Sequence, residues 1–296
     1  MGKYFKFSAL ILLMIFCSMV FEEREIILPE LAALAFGSFV YLKHEWISKP
    51  LNLFVIPSLT AIIGFAVNSM TIPLFQKLVI VMLSMIILFA LLKNVLAPAL
   101  ATGLLPVITN CTSVTFLVSI FVFMGLLALG AWYERRNSIH QTNTALGNPP
   151  KNMADYLGLL FIWFGICYYF DALQMASIPP VIVVGMENFQ KHKVDFQIVA
   201  EQVLVLVVAA VLGSSIHYYI ENQLIQCCLI LVSISLLNKL TGIKLPPVYA
   251  MALLPMVLPT VTPLHFTINV MLASISILGG VYLYKFKLLP ALKINN

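Results

Sequence analysis

Charge is what this sequence has least of. Only 10% of its 296 residues are Asp, Glu, Lys or Arg, while 61% are apolar. A water-soluble domain keeps about a quarter of its residues charged, so this chain cannot cover a water-facing surface. Cysteine is scarce as well. Cys17, Cys111, Cys167, Cys227 and Cys228 are few and sit mostly in apolar runs, which excludes a secreted disulfide scaffold. The formal net charge is +5, but no dense Lys/Arg stripe is present to neutralise phosphates, which argues against a nucleic-acid binder. Catalytic and metal motifs are missing too. His44, His140, His192, His217 and His265 form no H-x-x-x-H or E-x-x-H pair, and there is no G-x-S-x-G and no P-loop. Without clustered Asp, His or Arg at one membrane face, an enzyme acting on lipid-linked substrates is disfavoured. The expectation is no enzyme, no metal and no cofactor.

What the chain does have is hydrophobic length. Mean hydropathy is +1.00, and a membrane-crossing helix needs about 17–25 mostly apolar residues. Apolar segments lie near 5–21, 26–42, 51–70, 73–92, 96–109, 113–132, 156–172, 174–187, 197–219, 223–237, 245–260 and 266–284. The reading is an all-α polytopic membrane protein of about twelve segments, several short or broken by proline. The first begins at Lys3 and Lys6 but runs into Glu22-Glu23-Arg24-Glu25 instead of a small-residue cleavage site, so it reads as a retained helix.

Basic residues set the orientation. If the N-terminus is cytoplasmic and every segment crosses, all Lys and Arg except Arg24 and Lys77 fall on the cytoplasmic side. Making one middle segment re-entrant would flip everything after it and destroy that asymmetry. A multi-pass protein of the cell membrane with both termini cytoplasmic follows. The polar stretch 133–154, with Glu134-Arg135-Arg136 and Gly147-Asn148-Pro149-Pro150, reads as a cytoplasmic linker between a first repeat (1–132) and a second (155–296).

Comparison of the halves supports that division. Pro98-Ala99-Leu100-Ala101-Thr102-Gly103-Leu104-Leu105-Pro106 aligns with Pro247-Val248-Tyr249-Ala250-Met251-Ala252-Leu253-Leu254-Pro255, an offset of 149 (98 to 247). At that offset Gly64 meets Gly213 and Asn52 meets Glu201; one residue out of register, Pro29 meets Pro179. An even number of crossings per half makes the two copies parallel. Within each half an apolar-Pro-x-apolar motif opens a short helix: at Pro29, Pro98, Pro179-Pro180 and Pro246-Pro247. Proline suits a first helical turn, where its missing N–H is not needed. These starts come alternately from outside and inside, as expected for 3+3 inverted repeats nested in two parallel halves.

These residues resemble a tandem copy of the core of the HPP family of integral membrane proteins. In the first half the match runs through Pro29 to Gly37, Lys49-Pro50-Leu51-Asn52, Gly64 and Ala97 to Pro106. In the second it runs through Pro179-Pro180, Glu201 in the asparagine place, Gly213 and Leu240 to Pro247. The family's signature histidine is Leu245 in the second copy and absent from Ala97-Pro98 in the first, and its usual basic residue is Leu51. The resemblance implies a transporter of a small inorganic anion such as nitrite.

Ionisable residues inside apolar segments are functional candidates because burying them is expensive. Glu30 follows Pro29 at a helix start, and it serves either as a carboxylate cap favoured by the macrodipole or as a coupling group. Glu201 and Gln202 sit early in the ninth segment, Lys77 early in the fourth, where it can snorkel outward. Glu187 is expected to pair with Lys191 and Lys193, and Trp46 and Trp132 to sit in interfacial belts. The expected solute site is lined by Pro29, Glu30, Pro98, Ala101, Thr102, Pro179, Pro180, Pro246, Pro247 and Ala250, near the midplane, with unpaired helix-start N–H groups aimed at the solute. The function expected is a secondary transporter or channel-like carrier; a non-transporting subunit or assembly factor is the alternative. The partners expected are the lipid bilayer, the solute or ion, and a second copy of the chain, with no nucleic acid.

Overall fold

The computed structural model describes residues 2–137, 153–191, 193–258 and 262–288. Most of the expected linker, including Gly147-Asn148-Pro149-Pro150 and His140, lies outside the described residues, as does His192. The described chain is helical, and among those residues no strand occurs.

In chain order the helices are α1 (Gly2–Val20), α2 (Pro29–Ala35), α3 (His44–Ile47), α4 (Asn52–Asn68), α5 (Leu74–Leu92), α6 (Ala99–Ile108), α7 (Val114–Asn137), α8 (Met153–Tyr169), α9 (Leu173–Ala176), α10 (Pro179–Gln190), α11 (Phe196–Tyr219), α12 (Gln223–Thr241), α13 (Pro247–Leu253) and α14 (Pro263–Leu283). α2 widens into a π turn over Phe36–Val40, and α13 tightens into a 3₁₀ turn over Leu254–Met256. α7 runs to Asn137, into the stretch read as linker.

Six of these helices are long and apolar enough to cross a membrane: α1, α5, α7, α11, α12 and α14. Their outward faces are apolar, with Phe5, Leu91, Leu129, Val232 and Leu240 among the exposed side chains. An apolar surface of this kind is stable only against lipid. The chain is therefore a polytopic α-helical membrane protein.

The short proline-led helices have the opposite environment. Every residue of α13 and all of Ala99–Val107 in α6 are buried. At 1.5 Å per residue a ten-residue helix spans about 15 Å, half of a hydrocarbon core of about 30 Å. None of these helices can cross alone. The long helices form the shell and the short ones fill it, because a helix apolar all round must be enclosed. The chain feeding α2 is buried yet not helical: Ile27 and Leu28 are extended and fully enclosed. With no water to serve it, the Leu28 N–H donates to the Met14 thioether at 3.1 Å.

Pairings recur along the chain. α6 packs on α4, and α13 on α11; α7 packs on α4, and α14 on α11; α1 packs on α12, and α8 on α5. The tightest crossing is the same in both halves. A Cβ added at Gly64 would stand 1.9 Å from the Gly103 carbonyl oxygen, and one at Gly213 would stand 2.2 Å from that of Ala252. Only glycine allows these backbones to meet.

Candidate site at the centre of the bundle

Proline fixes where each short helix starts. Pro29, Pro179 and Pro247 occupy first helical positions, while Pro98 and Pro246 sit just before α6 and α13. The missing proline N–H removes one of the donors that a helix start leaves open. Most first-turn donors that remain close on local carbonyls: Leu31 to Leu28 (3.0 Å), Leu100 to Ala97 (3.0 Å), Ala101 to Pro98 (3.0 Å), Val181 to Ile178 (3.1 Å) and Val248 to Leu245 (3.2 Å). The expected reservoir of unpaired amides is thus largely consumed by tight turns. Alignment of each short helix's dipole survives this closure.

The four short helices pack on one another in a ring: α2 on α13, α13 on α10, α10 on α6, and α6 on α2. The ten residues named from sequence, at the starts of these helices, are all buried. Among them only Glu30 ionises. It is 2% exposed, its Oε1 has no hydrogen-bond partner, and no ion pair reaches it among the described residues.

Thr102 has a narrower part than sequence suggested. Its hydroxyl lies 2.6 Å from that of Thr60 in α4, donates to the Ala99 carbonyl at 2.8 Å, and sits 3.3 Å from the Pro57 carbonyl. The side chain is turned to the α4–α6 interface and fully hydrogen-bonded there. Ala101 and Ala250 are buried and bring no polar side-chain atom to the ring.

Other polar residues pair in ways the sequence did not indicate. Glu187 binds Lys43 at 2.9 Å, not the neighbouring Lys191 and Lys193, and so ties α10 to the segment after α2. Lys191 instead donates to Asn188 Oδ1 at 2.9 Å. Burial lowers the Lys191 ammonium below the ordinary lysine value, with Glu187 opposing the shift and Lys43 adding to it. Gln202 is buried and bonded to Asn188, with Nδ2 of Asn188 donating to its Oε1 at 2.5 Å. Glu201 accepts from Gln197 on the exposed side of α11 (3.1 Å) and does not enter the ring. Lys77 does not snorkel freely; it donates to the Asn68 carbonyl and, at 3.2 Å, to Asn68 Oδ1. Trp46 is packed inside at 7% exposure, under the Lys43 ammonium, whereas Trp132 is exposed.

The sequence also passed over the Phe36–Tyr249 contact, in which the two rings lie 4.5 Å apart where α2 meets α13. One signal was available. At the offset of 149, Tyr249 stands where the first half has Leu100, an added hydroxyl inside an apolar helix. Its hydroxyl hydrogen-bonds Ser235 of α12 at 2.9 Å.

No protein-family model matches the chain, and neither characterised proteins nor solved structures give a match. What is defined is the class: a helical membrane protein whose core is a ring of half-length helices.

Proposed function

We infer that this chain is a secondary transporter or channel-like carrier for a small solute, with an inorganic anion such as nitrite the class implied by its resemblance to the HPP family. The observation that carries this reading is the ring of α2, α6, α10 and α13 with the buried Glu30 carboxyl in it, one oxygen of which has no hydrogen-bond partner and which no ion pair reaches among the described residues. Half-length helices meeting inside a bilayer are the usual means by which carriers build a solute site near the midplane. A structural subunit has no need to enclose an unpaired carboxyl, whose burial is costly.

In this reading the chain crosses the cell membrane twelve times, each short helix completing its crossing together with the non-helical chain that adjoins it, and both termini are cytoplasmic. It is built from two parallel repeats, and the equal spacing of the Gly64–Gly103 and Gly213–Ala252 crossings supports them. Each repeat contains two long-short-long units in inverted order. Their inversion is supported by the opposite directions of α2 and α6. The ring of Phe36, just past α2, packs on Tyr4 near the start of α1, while Cys111, just past α6, accepts from Asn68 at the end of α4.

The mechanism follows from charge. The first turns of the short helices are closed, so their dipoles, more than free amides, attract an anion. A carboxylate at Glu30 would repel that anion, so Glu30 enters the transport step as the neutral acid and its proton travels with the solute. Ala101 and Ala250 let the solute approach the backbone. Uptake by the purified chain alone, reconstituted in liposomes and driven by a pH gradient, tests the proposal. Saturable anion uptake is expected. Uptake that appears only when a second gene product is added, with which the chain copurifies at fixed ratio, would make it a subunit instead.

A further inference from the structure

At the end of the bundle where α1 begins, an open pocket of about 1280 Å³ lies between the start of α1, the end of α2 and the end of α12. Among the described residues four lysines line it against one carboxylate, and that carboxylate, Glu134, is paired with Lys6. Lys3, Lys239 and Lys244 are left with no anionic neighbour in the lining. Two more polar groups lie there: among the described residues Tyr41 Oη is buried without a hydrogen-bond partner, and the Asn238 side-chain amide, near the Tyr249 hydroxyl, is buried with neither of its atoms in a well-formed hydrogen bond. The Lys244 ammonium stands 5.3 Å from the centre of the Tyr41 ring. Beneath them Phe36 packs against Tyr41 (5.6 Å) and Tyr249 (4.5 Å), so the inner end of the pocket rests on the α2–α13 contact.

Positive charge at the rim and unpaired donors below it call for an oxyanion. Size and lining call for more than that. Pockets for whole organic ligands run to about 300–1,000 Å³, so a three- or four-atom ion would leave most of this one wet and its apolar lining (Val40, Leu236, Ile243) unused. We propose that the pocket binds an amphipathic anion, with a phosphate or carboxylate head held by Lys239 and Lys244 and an apolar body lying against Val40, Leu236 and Ile243. Tyr41 Oη and Asn238 Nδ2 donate to the head, which satisfies these two donors. The site is separate from the central ring and stands whether or not the chain transports an anion. Its occupant comes either from an anionic bilayer lipid or from a free amphiphile; the head-and-tail chemistry is shared.

Titration calorimetry of the full chain in neutral detergent tests this, with dodecyl phosphate as probe. One-to-one saturable binding is expected, weakened about tenfold in the Lys239→Gln/Lys244→Gln variant at unchanged thermal unfolding. Should that variant unfold, Asn238→Leu and Lys244→Gln singly are expected to weaken binding about threefold each. Competition by dioleoylphosphatidylglycerol identifies the occupant as a bilayer lipid, and its absence identifies a free amphiphile; both support the site. Full affinity in the lysine variants overturns it. So does inorganic phosphate binding as tightly as dodecyl phosphate, or dioleoylphosphatidylcholine competing as well as its anionic counterpart.

Discussion

Gly64 touches the backbone of Gly103 so closely that no side chain fits between α4 and α6, and Gly213 meets Ala252 in the same way between α11 and α13. Overpacking a core usually costs about 1–3 kcal/mol, and here the atom in the way is a carbonyl that cannot rotate aside. Gly64→Ala and Gly213→Ala are expected to cost at least that much and to sharply lower the yield of monodisperse protein. Thermal-stability chromatography in detergent measures this. Wild-type melting for either variant would show that these crossings are looser than described.

Thr60 and Thr102 share a hydrogen bond between the same two helices. Interhelical hydrogen bonds in membranes are worth about 0.6 kcal/mol on average and about 1.7 at most. Thr102→Val is therefore expected to lower stability by about 1 kcal/mol while leaving solute affinity unchanged, since the hydroxyl faces α4. A loss of affinity with normal stability would place Thr102 in the solute site.

Glu30→Gln separates capping from coupling. A neutral amide keeps the shape of the protonated acid, so exchange of labelled solute across liposomes is expected to persist. Accumulation driven by a pH gradient is expected to be lost, because no proton can be carried. Retained accumulation, with only a small drop in melting temperature, would assign Glu30 to capping α2.

Lys43 and Glu187 hold α10 to the segment that follows α2. The pair is partly exposed, so its strength is near the upper end of about 0–1 kcal/mol expected for such bridges. Lys43→Glu is expected to destabilise by more than Lys43→Ala, since it adds repulsion beside Glu187. Exchanging the two charges in the double variant is expected to recover part of the loss, read as the coupling energy of a double-mutant cycle.

The ends of the bundle should report sidedness. Lys3 lies in the pocket with Lys239 and Lys244, whereas Met70 follows the far end of α4. With the native cysteines replaced, Met70→Cys is expected to react with an impermeant maleimide on intact cells and Lys3→Cys only after permeabilisation. The same experiment at Ser138 tests the cytoplasmic placement of the stretch between the halves.

Run length is a property of the chain in one dimension, and it was legible. A run of 19 mostly apolar residues such as Leu74 to Leu92 forms a membrane helix whatever surrounds it. Proline before a small-residue run, as at Pro98 and Pro247, sets a helix start by the geometry of its own ring. Ring membership was legible only in outline, through the shared motif of α2, α6, α10 and α13.

The partners of individual side chains were decided by the tertiary structure. In a soluble protein, polarity tells the buried face of a helix from the exposed one. Here lipid and protein core are equally apolar, so Leu78, which is buried, and Leu91, which faces outward, look alike in the sequence. Nor could spacing show that Thr102 turns to Thr60, that Glu187 reaches Lys43 across 144 residues, or that Tyr249 closes on Phe36. Each of those choices depends on where a backbone can approach closely, as Gly64 and Gly103 do, and a close approach exists only once both helices are in place.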